Sequence, residues 1–139
     1  MKTSYKIFLI ILNISLCKGQ NYGDKQIVLM LNDYYKNYPT SKLLGDHIFT
    51  NNENTVFQIE VQTNIDEFNS SMLDAFSIIN KLSNIAKTNF TQAVVIFHFE
   101  PNNLPVIAKA ELDCSRKFFI KKTQNEIQWR KNCLSIQKQ

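Results

Sequence analysis

The chain has 139 residues, 44% of them hydrophobic and 20% charged, which is enough for one domain with a core and too little for a multidomain protein. Three glycines and three prolines exclude collagen-like and proline-rich chains, together with phosphate-binding loops that need several glycines close together. The formal net charge of +4 does not indicate a nucleic-acid partner, because most of the basic residues are lysines, whereas arginine is favoured where phosphates and bases are bound.

The N-terminal segment has the three parts of a secretory signal peptide. Two lysines supply its positive start, an apolar run of ten residues follows at 7–16, and Cys17 and Gly19 place small residues before a cut after Gly19. The apolar run is half of the roughly 20 residues that a transmembrane helix needs. We therefore predict a cleaved signal peptide at 1–19 and a single α+β domain at 20–139. The alternatives are a retained membrane anchor and a lipid on Cys17.

Hydrophobic periodicity predicts two helices in the remaining chain. A short helix is expected at 25–38, and a long amphipathic helix at 65–87, where apolar residues recur every three or four positions. The segment 39–54, between the short helix and the next strand, has the composition of a loop, in which 47–49 could form a short strand.

The arrangement of apolar and polar residues predicts three strands. Residues 55–62 and 105–113 alternate along their length, which indicates strands with one buried face. Residues 93–99 are almost continuously apolar, which is typical of a central strand. The segment 101–105 is rich in proline and asparagine and predicts a turn between antiparallel neighbours.

The C-terminal third is predicted to be a β-hairpin closed by a disulfide. The residues that would face each other across a turn centred at 123–124 are Phe118 and Trp129, Ile120 and Ile127, and Cys114 and Cys133. Apolar pairing and cysteine position thus select the same register, and export would bring both cysteines to a compartment where disulfides persist. We therefore predict a disulfide between Cys114 and Cys133, with two reduced core cysteines as the alternative.

These elements define an α+β fold class. We expect an antiparallel sheet of about five strands with a long and a short helix packed on one face. The other face of the sheet is expected to meet water or a partner. Such a layout hosts many unrelated activities, so the function has to be argued from particular side chains.

The one local pair with ligand or acid–base character is His98 and Glu100, because residues two apart on a strand share a face. A third group, either His47 or Asp113, would be needed to complete a site. A single histidine at the end of an apolar strand is more often a packed or rim residue, and no known hydrolase, zinc or phosphate-loop motif is present. We predict no catalytic residue, no metal and no cofactor, and keep His98 and Glu100 as possible ligand or metal residues.

Two surface features complete the candidate sites. Tyr34, Tyr35 and Tyr38 cannot all face inward from one short helix, so they could form an interface; the alternative is buried rings with solvated hydroxyls. Asn69 and Asn89 begin N-glycosylation acceptor sequences, which would matter only in a eukaryotic secretory pathway.

The sequence therefore predicts a small secreted or periplasmic domain that binds a protein or another ligand without intrinsic catalysis. One alternative is a small extracytoplasmic enzyme of hydrolase type that uses His98 and Glu100. A second alternative is a subunit of an envelope assembly. We expect no nucleic-acid partner and no stable membrane span after signal cleavage.

Overall fold

The computed structural model describes residues 21–37, 41–100 and 103–138, so the predicted signal peptide at 1–19 and Tyr38 lie outside the described residues. Within these ranges the chain forms four α-helices and five strands. Their order is α1 (Asp24–Lys36), β1 (Ser41–Asn51), β2 (Asn54–Thr63), α2 (Phe68–Ile85), β3 (Gln92–Phe99), β4 (Asn103–Glu111), α3 (Leu112–Phe119), α4 (Glu126–Asn132) and β5 (Leu134–Lys138). A short 3-10 helix at Ile65–Glu67 precedes α2.

The five strands form one sheet in the order β1-β2-β3-β4-β5. Neighbouring strands are antiparallel except β2 and β3, which are parallel. The prediction of an antiparallel sheet is therefore wrong at its centre, and the sheet is mixed. The physical reason is the long helix α2, which carries the chain back along the sheet, so that β3 starts at the same end as β2.

The hydrophobic core lies on one face of this sheet. Alternate strand residues point into it, and the apolar stripes of all four helices pack against them. The largest fully buried side chains are Trp129, Phe57, Phe76, Phe97, Ile27, Leu31, Ile59, Met72, Ile79, Leu82 and Ile85. Burial of each such side chain contributes roughly 1.5–3 kcal/mol. The prediction of a long and a short helix on the sheet is matched in part, because the structure has four helices where two were expected.

The other set of alternating residues faces away from the helices and forms what we call the open sheet face. It is defined in the two central strands by Gln58, Glu60, Gln62, Val94, Ile96 and His98, most of which are partly exposed.

Five predicted elements agree with the structure within a few residues at each end: the short helix, the long helix, and the strands at 55–62, 93–99 and 105–113. The predicted loop at 39–54 is wrong, because β1 occupies most of it. Sequence alternation fails there because the pairing of β1 with β2 shifts between Leu43 and Gly45. The bulge at Leu44 moves each later side chain to the opposite parity, so no regular period spans the strand.

The predicted C-terminal β-hairpin is also wrong. The strand expected at 105–113 ends at Glu111, and α3 begins at the next residue. The buried residues of α3 are Leu112, Ser115 and Phe119, which follow the period of a helix. The consecutive apolar residues at 118–120 fit a helix and a strand equally well, and only the helix lets both Leu112 and Phe119 reach the core.

Two contacts that the hairpin prediction proposed are nevertheless present. Cys114 and Cys133 form a disulfide, with their Cα atoms 5.6 Å apart. It crosslinks the first turn of α3 to the residue that follows α4. The rings of Phe118 and Trp129 stack with centroids 5.8 Å apart. The third proposed pair, Ile120 and Ile127, does not form a buried contact, because Ile127 is 77% exposed.

Candidate functional site

A polar cleft of about 530 Å³ opens at one end of the sheet, where the last turn of α1 meets the start of β1 and the end of β2. We call this feature the polar cleft. Its volume lies in the range of small-molecule sites in proteins, roughly 300–1,000 Å³. Its lining residues belong to α1, to the paired ends of β1 and β2 and to the residue that follows β3; we call the α1 residues the α1 wall, and Lys42, Gln62 and Glu100 the strand wall.

The α1 wall contains Asn32, Tyr35 and Lys36. Tyr35 continues the buried stripe that begins with Ile27 and Leu31, so its side chain points inward and is only 6% exposed. Lys36 follows in the last turn of the helix and is exposed. A cation at this position offsets the partial negative charge at the C-terminal end of the helix.

Two buried hydroxyl residues form the floor of the polar cleft. Ser41 and Thr63 are cross-strand partners and are 6% and 4% exposed. The Oγ atom of Ser41 lies 2.8 Å from the Oγ atom of Ser71 on α2, so one hydroxyl donates to the other. The floor is therefore polar and is tied to the long helix beneath it.

The strand wall presents a cation, an amide and an anion in succession. Lys42 and Gln62 are direct cross-strand partners. The Nε2 atom of Gln62 donates a hydrogen bond of 2.7 Å to Oε1 of Glu100, which follows β3. Gln62 thus holds the Glu100 carboxylate beside the cleft.

The charged residues of the polar cleft are Lys36, Lys42 and Glu100. Among the described residues, neither lysine forms an ion pair with a carboxylate. Two cations against one anion give the cleft an excess positive charge, which attracts anionic groups.

The predicted pair of His98 and Glu100 is engaged by other partners. The Nε2 atom of His98 lies 3.1 Å from Oε1 of Glu60 on β2, on the open sheet face, while the Glu100 carboxylate binds Gln62. The His98 and Glu60 side chains are 38% and 41% exposed, so this pair contributes little to stability.

The two residues considered as a third ligand lie elsewhere. His47 packs against Phe49 on β1, with ring centroids 4.9 Å apart, and Asp113 pairs with Arg116 within α3 at 3.6 Å. In the part of the chain that the structure describes, no three His, Cys, Asp or Glu residues are grouped so that they could hold a metal ion.

The described tyrosines of the predicted interface turn toward neighbouring elements. The hydroxyl of Tyr34 donates to Oδ1 of Asp74 on α2. The rings of Tyr34 and Tyr35 meet edge to face, with centroids 5.4 Å apart. Of the tyrosines that the sequence singled out, Tyr35 lines the polar cleft.

The disulfide is supported by one side chain of the loop between α3 and α4. The Nε2 atom of Gln124 donates to the carbonyl oxygen of Cys114 at 3.2 Å and lies 3.4 Å from Sγ of Cys133. A disulfide is compatible with an oxidising compartment. Asn69 and Asn89, the two possible glycosylation sites, are both exposed.

Comparison with family models, with curated proteins and with solved structures finds no match to this chain. Within the described ranges, none of the helices has the length and apolar character required to cross a membrane. The chain is therefore assigned to a class by its own geometry: an α+β domain with a mixed five-stranded sheet and a polar cleft at one end of it.

Two residues of the polar cleft, Tyr35 and Glu100, are among the candidate residues predicted from the sequence, whereas the two lysines, Gln62 and the buried hydroxyl residues are not. Their sequence context gave no signal, because each is an ordinary polar residue at the end of a helix or strand. The cleft is created by bringing the ends of α1, β1, β2 and β3 to one place.

Proposed function

We propose that this chain is a small exported binding domain without intrinsic catalysis, and that it binds a small polar ligand in the polar cleft. The observation that carries the proposal is the cleft itself, in which buried hydroxyls form a floor between two walls that bear charges. A few polar groups held by rigid elements around a concave site are the usual basis of ligand recognition.

The chemistry of the lining residues favours binding over catalysis. The hydroxyl of Ser41 shares its hydrogen bond with the hydroxyl of Ser71, whereas an activated serine needs a base such as histidine beside it. The histidine nearest in sequence to the cleft wall, His98, is bonded to Glu60 on the open sheet face. The cleft therefore offers donors, acceptors and charge to a ligand.

Two further observations support export. The N-terminal segment has the pattern of a signal peptide, and the Cys114–Cys133 disulfide is compatible with an oxidising compartment. A secreted or periplasmic location suits a domain whose site is open to solvent.

The proposal is tested by screening small polar metabolites against the purified protein by thermal shift, followed by calorimetry with each compound that stabilises it. Lys42→Gln removes one cation from the cleft wall. Lys109→Gln is the matched control, because it removes one cation at a position that does not line the cleft. Lys109 lies on β4 and is the cross-strand partner of Ser135 on β5.

We expect Lys42→Gln to weaken ligand binding about tenfold, since a charge-assisted hydrogen bond is lost, and Lys109→Gln to leave it unchanged. The reverse result would place the ligand near Lys109, away from the cleft, and overturn the proposal. Equal affinity of both variants and the wild-type protein would also show that the cleft is not the binding site.

A further inference from the structure

This inference rests on the proposed function, in which the polar cleft is the binding site. The charges of the cleft then indicate which chemical class of small polar ligand it binds. We propose that the ligand is an acidic amino acid or a close relative, with two carboxylates and one ammonium group. The inference rests on the order of charged groups along the strand wall and on a third charge that α1 adds to the lining.

The wall formed by Lys42, Gln62 and Glu100 carries opposite charges on the two sides of one amide. Lys42 is beside Gln62 because the two are cross-strand partners, and Glu100 is beside Gln62 because it accepts the 2.7 Å hydrogen bond. The two charged side chains do not pair with each other. Both charges are therefore available to a ligand.

This order matches the head of an α-amino acid, in which a carboxylate and an ammonium group are attached to one carbon. The ligand carboxylate would face Lys42, and the ammonium group would face Glu100. The second oxygen of the Glu100 carboxylate remains to accept from it, because Gln62 occupies Oε1. A ligand with carboxylates alone would meet repulsion from Glu100.

The third charge, Lys36, is contributed to the lining by α1. Two lysines and one glutamate leave an excess of one positive charge, so a ligand with one net negative charge completes the balance. An acidic amino acid has that charge, with its second carboxylate directed to Lys36. Since Lys36 also offsets the C-terminal charge of α1, we expect Lys42 to contribute more to affinity.

Three probes separate these features by titration calorimetry with the full folded protein. L-glutamate has both carboxylates and the ammonium group, glutarate lacks only the ammonium group, and L-glutamine lacks the second carboxylate. We expect L-glutamate to bind about tenfold more tightly than either of the other probes.

The Glu100→Gln variant tests the proposed ammonium contact while keeping the shape of the side chain. It should weaken binding of L-glutamate about tenfold and leave glutarate unchanged or tighter. Glu111→Gln, at the other end of the sheet, is the matched control and should change neither affinity. Lys42→Gln should weaken both ligands.

The outcomes distinguish this inference from the proposed function. Equal effects of Glu100→Gln on L-glutamate and glutarate, or no binding of any probe at millimolar concentration, would overturn the ligand class. A loss of affinity in Lys42→Gln for some other ligand would then still support the cleft as a binding site. If neither variant changes the affinity of a ligand that does bind, both proposals are wrong.

Discussion

Removing the Cys114–Cys133 disulfide gives the sharpest test of how the C-terminal third is stabilised. The two cysteines are 19 residues apart in sequence and enclose α3, α4 and the loop between them. In the chain-entropy account, a crosslink of this span stabilises the folded state by about 3 kcal/mol, because it restricts the unfolded chain. Replacing both cysteines with alanine should lower the free energy of unfolding by that amount.

The protein should still fold without the disulfide, because the enclosed segment has its own anchors in the core. Trp129 is fully buried, Phe119 is 7% exposed, and their rings meet edge to face at 5.0 Å. Trp129 also packs against Phe76 of α2 at 5.5 Å. A loss of about 3 kcal/mol leaves most domains folded, since total stabilities are roughly 5–15 kcal/mol.

Trp129 provides the assay because it is the chain's single tryptophan and lies inside the crosslinked segment. Its emission should shift to longer wavelength as urea unfolds the protein. The titration is made on the chain from residue 20 onward, which avoids the third cysteine, Cys17. A reductant should lower the urea midpoint of the wild-type protein and leave that of the double alanine variant unchanged.

Two results would refute this reasoning. A loss of less than about 1 kcal/mol would show that the crosslink does not restrict the unfolded chain as the chain-entropy account requires. Red-shifted emission of the double variant without urea would show that the aromatic anchors cannot hold α3 and α4 against the core.

Three other predictions concern single side chains. The indole N–H of Trp129 donates to Oγ of Ser115 at 2.9 Å in the core, so Ser115→Ala leaves a buried donor unpaired and should cost about 1–3 kcal/mol in the same urea titration. Burial lowers the pKa of Lys81, with a further contribution from a nearby lysine, so the unfolded chain binds this proton more tightly. Lys81→Met should therefore raise the urea midpoint at pH 7, and this gain should shrink as the pH rises toward the ordinary lysine pKa of about 10.4. The matched control is Lys117→Met at an exposed position, which should give no such trend. A pH-independent gain in Lys81→Met would show that the lowered pKa of Lys81 is not its cause. His98→Ala should leave ligand affinity within about twofold of the wild-type value, because His98 is hydrogen bonded to Glu60 and does not line the cleft; a larger loss in calorimetry would place His98 in the binding site.

The agreement between sequence and structure was best where one period held over a long segment. The long helix was predicted from a stripe that recurs every three or four residues, and ten of the eighteen residues of α2 are buried along that stripe and its flanks. The strand predicted at 93–99 was equally clear, because its length and apolar content suit a central position, and the structure has it at Gln92–Phe99.

Prediction failed where two geometries fit the same residues or where the period was interrupted. The apolar residues at 118–120 suit a strand pair as well as a helix, and the disulfide spacing is satisfied by either arrangement. The bulge at Leu44 interrupts the alternation of side chains in β1, so this eleven-residue strand was not predicted. The disulfide itself was predicted correctly on a wrong secondary structure, because proximity of Cys114 and Cys133 needs only that the chain between them reverses direction.

The sequence by itself determined the class of this protein: an α+β domain, a buried central strand, one long helix over the sheet and two cysteines that pair. These properties follow from local periodicity and composition, which act over a few residues. The tertiary structure alone decided the parallel pairing of β2 and β3 and the place of the polar cleft. Asn32 and Glu100, 68 positions apart in the sequence, line one site only because the ends of four elements converge there, and no local pattern encodes that convergence.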